Sequence, residues 1–417
     1  MSILIKKAKL DGERQDIFIK GNHIARIDAD IDKDADQIID AREKIAIPSF
    51  FNGHTHAAMT LMRGYSDDLP VQQWLEEKIW PLENKLTQED VYWGSKLACL
   101  EMIKSGTTFF NDMYWHFHGT ARAVEEMGIR AAISAVLIDM FDEDESRRQM
   151  EYNQELFEEH QQYSDRIQFA LGPHALYTVS EKSLLWAKDF ADEHDLKIHI
   201  HLSESEDEIN GVLDKHNLRP VEYLDKIGFL GENVIACHNI WLNDNELKLL
   251  RENDVKLVHL PVSNMKLGSG FFPYKKIKEH NFSVALGTDG CSSNNNLDMM
   301  EEMKFASMKA KIHTMETTTL PAEEAFDMAT INGARMFDIN AGKIEEGKLA
   351  DLLLLDLNRP EMTPNYNTIS NIVYSANGAS VDTTICNGKI LMQDGYVDGE
   401  EEIIEKASQM ATDLVNR

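Results

Sequence analysis

The chain has 417 residues, of which 43% are hydrophobic and 27% charged, so it has ample material for a folded core. This length exceeds one ordinary domain but suits a barrel of about 250 residues with a smaller second domain. The formal charge of −29, with no basic stripe to offset it, excludes nucleic acid and anionic membranes as expected partners.

The sequence also predicts the compartment. It contains no run near the roughly 18 apolar residues that a transmembrane helix needs, and residues 1–10 lack a signal-peptide core. Its four cysteines, Cys99, Cys237, Cys291 and Cys386, lack the CxxC spacing of a zinc or redox pair and are expected to be reduced thiols. We therefore expect a cytoplasmic protein.

Short strands with tight turns are predicted at both ends of the chain. Residues 1–44 contain ILIKKAKL, IFIKGNHIARI and QIIDA, in which apolar positions alternate as in a sheet with one wet face. Residues 345–417 return to this pattern with LADLLLLDL and VDTTICNGKILMQDGYV, and a helix is predicted from residue 397 to the end. We expect the two ends to form one small β-sandwich domain.

Between the two ends, strand-like runs alternate with longer helical patterns such as Glu181–His194, which implies parallel pairing of the strands. Eight strands are predicted, at Ile45–His56, Thr107–Asp112, Ile129–Leu137, Gln168–His174, Lys197–His201, Val234–His238, Val255–Val262 and Ser283–Asp289. Eight such units make a (β/α)₈ TIM barrel. The predicted fold class is therefore α/β, with a barrel at 45–344 inserted between the two parts of the β domain, 1–44 and 345–417.

Histidines and one carboxylate lie where the predicted strands end. His54 and His56 end the first strand, and residues two apart on a strand point to the same side. The later strand ends carry His174, His201, His238 and Asp289. In such barrels the active site lies at the carboxyl ends of the strands. A lone histidine is usually a core or cap residue, but six polar groups at one end favour a site for Zn²⁺ or another divalent first-row metal.

Glu204 stands three residues after His201, in the segment HIHLSESE. A glutamate at this point could reach the open position of a metal site and act as a general acid and base. The alternative is a carboxylate at the start of a helix, which the nearby Glu206 and Glu208 keep open. We favour the catalytic role because of the spacing from the histidine of the fifth strand.

Together these motifs resemble a known family. HTH at strand one, HLSE at strand five, CH at strand six, and PVSNMKLGSG with GTDGCSSNNNLDMMEEM around strands seven and eight resemble the amidohydrolase superfamily. The resemblance runs nearly end to end and is closest to the branch of 5-methylthioadenosine/S-adenosylhomocysteine deaminases and chlorohydrolase-like aminohydrolases. It implies that one metal is bound by His54, His56, His201 and Asp289, that His238 orients the metal-bound water, and that Glu204 shuttles protons.

One difference from the family pattern indicates how many metal ions the chain binds. Members with two metals place a carboxylated lysine on strand four, whereas here that strand reads IQFALGPHALYT. A single divalent metal per chain follows, most simply Zn²⁺, with Fe²⁺ and Mn²⁺ as alternatives. The resemblance also implies substrate contacts for His174 and for Glu83, the latter on ribose hydroxyls. For Glu83 the alternative is an early helix-turn carboxylate after Pro81.

The resemblance implies hydrolytic deamination of an adenosine-type nucleoside, such as 5-methylthioadenosine, S-adenosylhomocysteine or adenosine. Relatives that prefer an amino-acid-bearing nucleoside use arginines near the end of strand three, where Ala135 stands here. Arg147 and Arg148 follow on the next loop, and Arg148 is our predicted substrate contact. The resemblance leaves a homo-oligomer open.

Other functions remain open at this point. The same groups could release ammonia or chloride from guanine, a pterin or a triazine, since pocket shape selects the leaving group. A catalytically silent scaffold would usually have lost metal ligands, and a metal-storage protein would have no use for Glu204 and His238.

Overall fold

The computed structural model describes residues 1–417, apart from the side chain of Gln72. Its first eight strands are β1 (Ser2–Leu10), β2 (Glu13–Lys20), β3 (His23–Asp28), β4 (Gln37–Asp40), β5 (Lys44–Pro48), β6 (Phe50–Thr55), β7 (Thr107–Tyr114) and β8 (Arg130–Leu137). The remaining strands are β9 (Ile167–Pro173), β10 (Lys197–Leu202), β11 (Val234–His238), β12 (Lys256–His259), β13 (Val284–Leu286), β14 (Leu352–Asp356), β15 (Val381–Cys386) and β16 (Lys389–Met392).

The helices that precede the last barrel strand are α1 (Val71–Trp74), α2 (Trp80–Glu83), α3 (Gln88–Ser105), α4 (Phe117–Met127), α5 (Glu143–Glu159), α6 (Glu181–His194), α7 (Glu206–His216), α8 (Pro220–Lys226), α9 (Asp244–Glu252), α10 (Pro261–Lys266) and α11 (Tyr274–Glu279). Those that follow are α12 (Met299–Thr314), α13 (Ala322–Ala329), α14 (Ile331–Met336), α15 (Thr368–Tyr374) and α16 (Glu400–Asn416). Within the described part of the chain, no helix combines the length and apolar character needed to cross a membrane.

Strands β6 to β13 form a nearly closed parallel barrel in which each strand pairs with the next along the chain. All residues of β7 and β8 are buried, as expected of parallel strands whose two faces are covered. The backbone N–H of Asp289, just after β13, donates to the carbonyl of His54 on β6 over 3.0 Å. The predicted fold class, an α/β barrel with a β unit built from both chain ends, is confirmed.

The chain ends form a second sheet with the strand order β16-β15-β14-β5-β1-β2-β3, in which β4 also pairs with β1. Its buried residues are mainly Ile, Leu and Ala and form their own apolar cluster. Strand β5 lies antiparallel to β14, with Ile45 opposite Leu355. The early and late parts of the chain therefore share one sheet, while the exact division at 44/45 and 344/345 stays a prediction.

The predicted strand Ile45–His56 is wrong as a single element. Its first part, β5, belongs to the sheet of the chain ends, and its second part, β6, is the first barrel strand. The change of sheet falls at Pro48 and Ser49, because proline has no N–H to continue a ladder. Both parts are apolar, so periodicity alone could not divide them.

The predicted strand Val255–Val262 is also too long. Strand β12 ends at His259, and Pro261 occupies the first turn of α10. The N–H groups of the first helical turn have no partner within the helix. Proline suits this position because it has no N–H and so loses no hydrogen bond there. This change of structure turns residues 263 and 264 towards the carboxyl end of the barrel.

A buried ion pair joins the barrel to the second sheet. Arg130, the first residue of β8, donates from Nε to Asp351 Oδ2 over 2.7 Å and from a terminal nitrogen to Asn387 Oδ1 over 2.7 Å. The side chains of Arg130 and Asp351 are 8% and 0% exposed. Removing one member would leave the other charge buried, so this pair couples the stability of the two sheets.

Candidate active site

Four of the predicted histidines meet at the carboxyl end of the barrel. His54 lies on β6, His56 follows that strand, His201 lies on β10 and His238 ends β11. The ring centroids of His56, His201 and His238 are 4.8, 4.9 and 5.8 Å from that of His54. His54 and His201 are 147 positions apart in sequence (201 − 54). They are brought together because parallel strands end at the same side of the barrel.

Three of these imidazoles are held at Nδ1 by an oxygen from a neighbouring element. The bonds are His56 Nδ1 to the Met113 carbonyl (2.6 Å), His201 Nδ1 to the His174 carbonyl (2.8 Å) and His238 Nδ1 to Asn264 Oδ1 (2.9 Å). A ring that donates from Nδ1 keeps the lone pair of Nε2 free, and this is how metal-binding histidines are usually oriented. All three rings therefore leave Nε2 for the centre of the site. Burial lowers the pKa of His56, but Asp289 outweighs burial and raises it to about 9, so Nε2 of His56 must lose its proton before it can bind a metal.

Asp289 completes the ring of ligand atoms. Its Oδ1 lies 3.3 Å from Nε2 of both His54 and His56. Its orientation is fixed by Ser263, whose hydroxyl donates to Oδ2 over 2.6 Å, and by the N–H of Gly290, which donates to Oδ1 over 2.8 Å. Burial raises the pKa of Asp289, but the two imidazoles outweigh burial and hold the pKa well below its ordinary value. The carboxylate is therefore charged.

The backbone at the site is held in unusual conformations. His238 and Asp289 have φ values of 72° and 64°, in the left-handed region that non-glycine residues rarely adopt. Such conformations persist where the surrounding structure enforces them, and they concentrate at functional sites. Here they turn the side chains at the ends of β11 and β13 towards one centre.

The residues fit a divalent metal ion. Nε2 of His54 is buried and has no hydrogen-bond partner among the described residues, which is rare for a buried polar atom. Ligand atoms of His54, His56 and His201 lie within 4.8 Å of one another, as do those of His54, His238 and Asp289. Burial lowers the pKa of His54 to about 4, so its imidazole is neutral as ligation requires. Three imidazoles and a carboxylate are a donor set that suits zinc.

Sequence reasoning missed His199, whose imidazole is hydrogen-bonded to the imidazole of His54. Nδ1 of His54 lies 2.6 Å from Nε2 of His199, and both side chains are fully buried. Because His54 must keep Nε2 free for a metal, we assign the proton to its Nδ1, which donates to His199. The signal was present, since the alternation that aligns His54 with His56 also aligns His199 with His201.

His54, His199 and Cys237 also lie close enough to suggest a second metal site. The 2.6 Å between the two imidazole nitrogens argues against it. Nitrogen ligands about 2.0 Å from a tetrahedral zinc lie roughly 3.3 Å from each other. The separation is that of a hydrogen bond, so these three residues support the first site and do not form another.

Glu204 lies beside the ring, in the turn between β10 and α7. Its Oε2 is 3.7 Å from Nε2 of His238. Burial raises the pKa of its carboxyl, against the lowering effect of His238. A carboxyl with a raised pKa next to a site for activated water has the properties of a proton shuttle.

Glu83 and His174 lie on two further sides of the site. Burial raises the pKa of Glu83, against the lowering effects of the Tyr114 hydroxyl and of His56. Nδ1 of His174 is hydrogen-bonded to the Thr178 hydroxyl over 2.9 Å. The ring centroid of His174 is 4.8 Å from that of His201.

The structure does not bring Arg148 into this cluster. Its side chain is 75% exposed on α5 and forms an ion pair with Glu145, three residues earlier. Arg147 pairs in the same way with Asp144. Arg148 as a substrate contact therefore stays a prediction, and its use would require the side chain to leave Glu145.

A (β/α)₈ barrel with imidazoles and a carboxylate converging at its carboxyl end defines the class of metal-dependent barrel hydrolases. The model of the amidohydrolase family matches residues 45–391. The chain belongs to the amidohydrolase family, and it is a hydrolase that acts on C–N bonds.

The chain is similar to several proteins named as adenosine-type deaminases. It is 47% identical over 399 residues to a 5-methylthioadenosine/S-adenosylhomocysteine deaminase of Thermococcus sibiricus, covering 94% of each chain. It is 47% identical over 420 residues to a 5'-deoxyadenosine deaminase of Methanosphaera stadtmanae, covering 99% of each. A crystal structure of an adenosine deaminase from Xanthomonas campestris with bound zinc aligns with a TM-score of 0.94 and 30% identity, over 100% of this chain and 98% of that one.

Proposed function

We propose that this chain is a hydrolytic deaminase of adenosine-type nucleosides that uses one zinc ion. The observation that carries the proposal is the position of Glu204, 3.7 Å from His238 at the edge of the ring of ligand atoms. A metal-storage or scaffold protein has no need of a buried carboxyl there. The names of the relatives support the nucleoside, and the zinc of the Xanthomonas structure supports the metal.

The metal would be held by Nε2 of His54, His56 and His201 together with Asp289. The strand β9 contains no lysine, which supports one ion rather than two. When bound by these residues, a divalent ion would supply the chemistry that lowers the pKa of a water from 15.7 towards about 7.

The protein groups around the ion then move protons. Glu204 takes a proton from the attacking water and gives it to the ring nitrogen next to the carbon that carries the amine. His238, fixed by Asn264, and the charged Asp289 hold the attacking oxygen by hydrogen bonding. When the C–N bond breaks, Asp289 passes the second proton of the water to the departing amine, which leaves as ammonia, and the purine ring keeps the oxygen as a carbonyl.

Glu83 would select nucleosides over free bases. A carboxylate facing two vicinal ribose hydroxyls accepts two charge-assisted hydrogen bonds, worth about 1.5 to 3 kcal/mol each. Its position near Tyr114 and His56 supports such a contact at the side of the site.

The 5′ substituent would be small or neutral, as in adenosine, 5′-deoxyadenosine or 5-methylthioadenosine. Ala135, buried on β8, offers no positive charge to a carboxylate tail. Arg147 and Arg148 are exposed and already paired with acidic residues of the same helix. An S-homocysteinyl tail should therefore gain little from its own carboxylate.

The test is ammonia release by the purified protein from a panel of adenosine-type nucleosides, guanine, pterins and aminotriazines. We expect nucleosides to give the highest kcat/KM, and Glu83→Gln to lower it for them. Glu126→Gln is the control, because Glu126 is a carboxylate on the outer helices, where it accepts from Tyr92. Higher activity on a triazine or guanine than on every nucleoside, with Glu83→Gln neutral, would refute the nucleoside assignment.

The same panel of substrates tests the prediction about the 5′ substituent. A preference for S-adenosylhomocysteine over 5-methylthioadenosine by more than tenfold, about 1.4 kcal/mol in transition-state terms, would refute the argument from Ala135.

The location we propose is the cytoplasm, supported by four buried free cysteines, as expected in a reducing compartment. The oligomeric state stays a prediction.

A further inference from the structure

The carboxylate of Glu208 makes different hydrogen bonds from the acidic residues at the third position of three other helices. Glu208 is the third residue of α7, and an acidic residue at this position usually accepts the backbone N–H of the N-cap residue. Three other helices follow that rule, with the pairs Thr87–Asp90, Arg219–Glu222 and Asn243–Glu246. In α7 the N-cap is Ser205, and Glu208 reaches past it.

Glu208 instead accepts from the two residues before the N-cap. The N–H of Ser203 donates to Oε1 over 2.9 Å, and the N–H of Glu204 donates to Oε2 over 2.9 Å. The residue is 5% exposed. One buried carboxylate therefore satisfies two successive backbone donors that have left β10 and not yet entered a helix.

The turn that these bonds hold is strained and tied to the next strand. Ser203 has a φ of 53°, in the left-handed region. Its carbonyl accepts from the N–H groups of Ile240 and Trp241, over 2.9 Å each, just after His238. The backbone of Glu204 is thus fixed relative to the loop that follows His238, the residue its side chain faces.

We propose that Glu208 is a positioning residue that directs the carboxyl of Glu204 towards His238 and the reacting centre. The inference rests on the proposed role of Glu204 in proton transfer. Proton transfer needs the two heavy atoms within hydrogen-bond reach, and a displacement of about 1 Å can cost roughly 10²-fold in rate. Loss of one of the two bonds would free the turn that sets this distance.

The experiment compares Glu208→Gln with Glu246→Gln. Each replaces a buried third-residue carboxylate by its amide, but Glu246 caps α9 and binds Arg219 away from the site. We expect both variants to unfold at a lower temperature. Only Glu208→Gln should lower kcat, by roughly 10- to 100-fold, with KM for the best nucleoside and metal content unchanged. An equal effect of both variants on kcat would overturn the proposal.

A double-mutant cycle separates a role through Glu204 from general damage. Adding Glu208→Gln to Glu204→Gln should cost no further kcat, because the group being positioned no longer transfers protons. A further tenfold loss in that background would refute the inference. If Glu208→Gln does not fold, Glu208→Asp, which keeps the charge but is one methylene shorter, enters the same comparison and should also lower kcat.

Failure of this inference differs from failure of the proposed function. Normal turnover in Glu204→Gln would overturn the proton shuttle, and the positioning role with it. A large loss in Glu204→Gln combined with normal kcat in Glu208→Gln would overturn only the role of Glu208.

Discussion

Replacing Gly287 with alanine would place a Cβ atom 2.7 Å from the backbone nitrogen of His54, 3.0 Å from its carbonyl oxygen and 3.1 Å from its Cβ. Ordinary contacts of a Cβ begin at 3.4 Å, so the two segments would have to separate by about 0.7 Å. None of the three atoms belongs to the flexible end of a side chain. The alanine can therefore be accommodated only by moving the backbone that carries His54 or the backbone that leads from Gly287 to Asp289.

This displacement would disturb the metal site directly. Gly287 lies between β13 and Asp289, whose N–H is bonded to the His54 carbonyl over 3.0 Å. Metal–ligand distances tolerate only about 0.2 Å, several times less than the required shift. We expect the metal affinity of Gly287→Ala to fall at least roughly tenfold, with about 1 to 3 kcal/mol of overpacking strain in the metal-free protein.

The assay is competition for zinc with a chelator of known affinity, together with thermal unfolding of the metal-free protein. Gly211→Ala is the control, because a Cβ at Gly211 in α7 meets nothing within 4 Å. In a helix this change should be neutral or stabilising by up to about 1 kcal/mol. If Gly287→Ala bound zinc as tightly as the wild type and unfolded at the same temperature, the close approach of β6 and β13 would not constrain the site.

Three further variants test other parts of the structure. Glu204→Gln keeps size and polarity but cannot shuttle protons, so kcat should fall by roughly 10² to 10⁴ with metal content unchanged; if most turnover survived, Asp289 would become the first candidate for the shuttle. His56→Ala should lose metal and activity together while circular dichroism still reports the folded barrel; unaltered metal content would remove His56 from the ligand set. Arg130→Met leaves Asp351 buried without its cation and should cost about 3 to 5 kcal/mol in urea unfolding, with kcat of the folded enzyme unchanged; a loss below 1 kcal/mol would mean that backbone N–H groups suffice for Asp351.

Much of the fold could be predicted from local patterns. The helix α6 was predicted as Glu181–His194 and has these bounds, because Ser180 caps its start and its amphipathic period is regular. The strand predicted at Val234–His238 also agrees with β11. The errors fall where local patterns do not change but the tertiary structure does, as at Pro48, where two apolar strands of different sheets follow one another.

The site shows the same limit. Strand periodicity and barrel topology were enough to bring His54 and His56 into one cluster with the later strand ends, and the structure shows these side chains together. The acceptors that hold their rings, such as the Met113 carbonyl and His199, come from other strands and carry no sequence motif. Backbone carbonyls in particular look alike in any sequence.

The sequence by itself determined most elements of this protein, the parallel order of the barrel strands and the residue types at the strand ends, because these follow from periods of two and 3.6 residues along the chain. Only the tertiary structure decided which nitrogen of each imidazole faces the centre and that Glu208 binds the backbone of Glu204. These depend on distances between segments that are far apart in sequence or on a turn in a left-handed conformation, and neither is encoded in local periodicity.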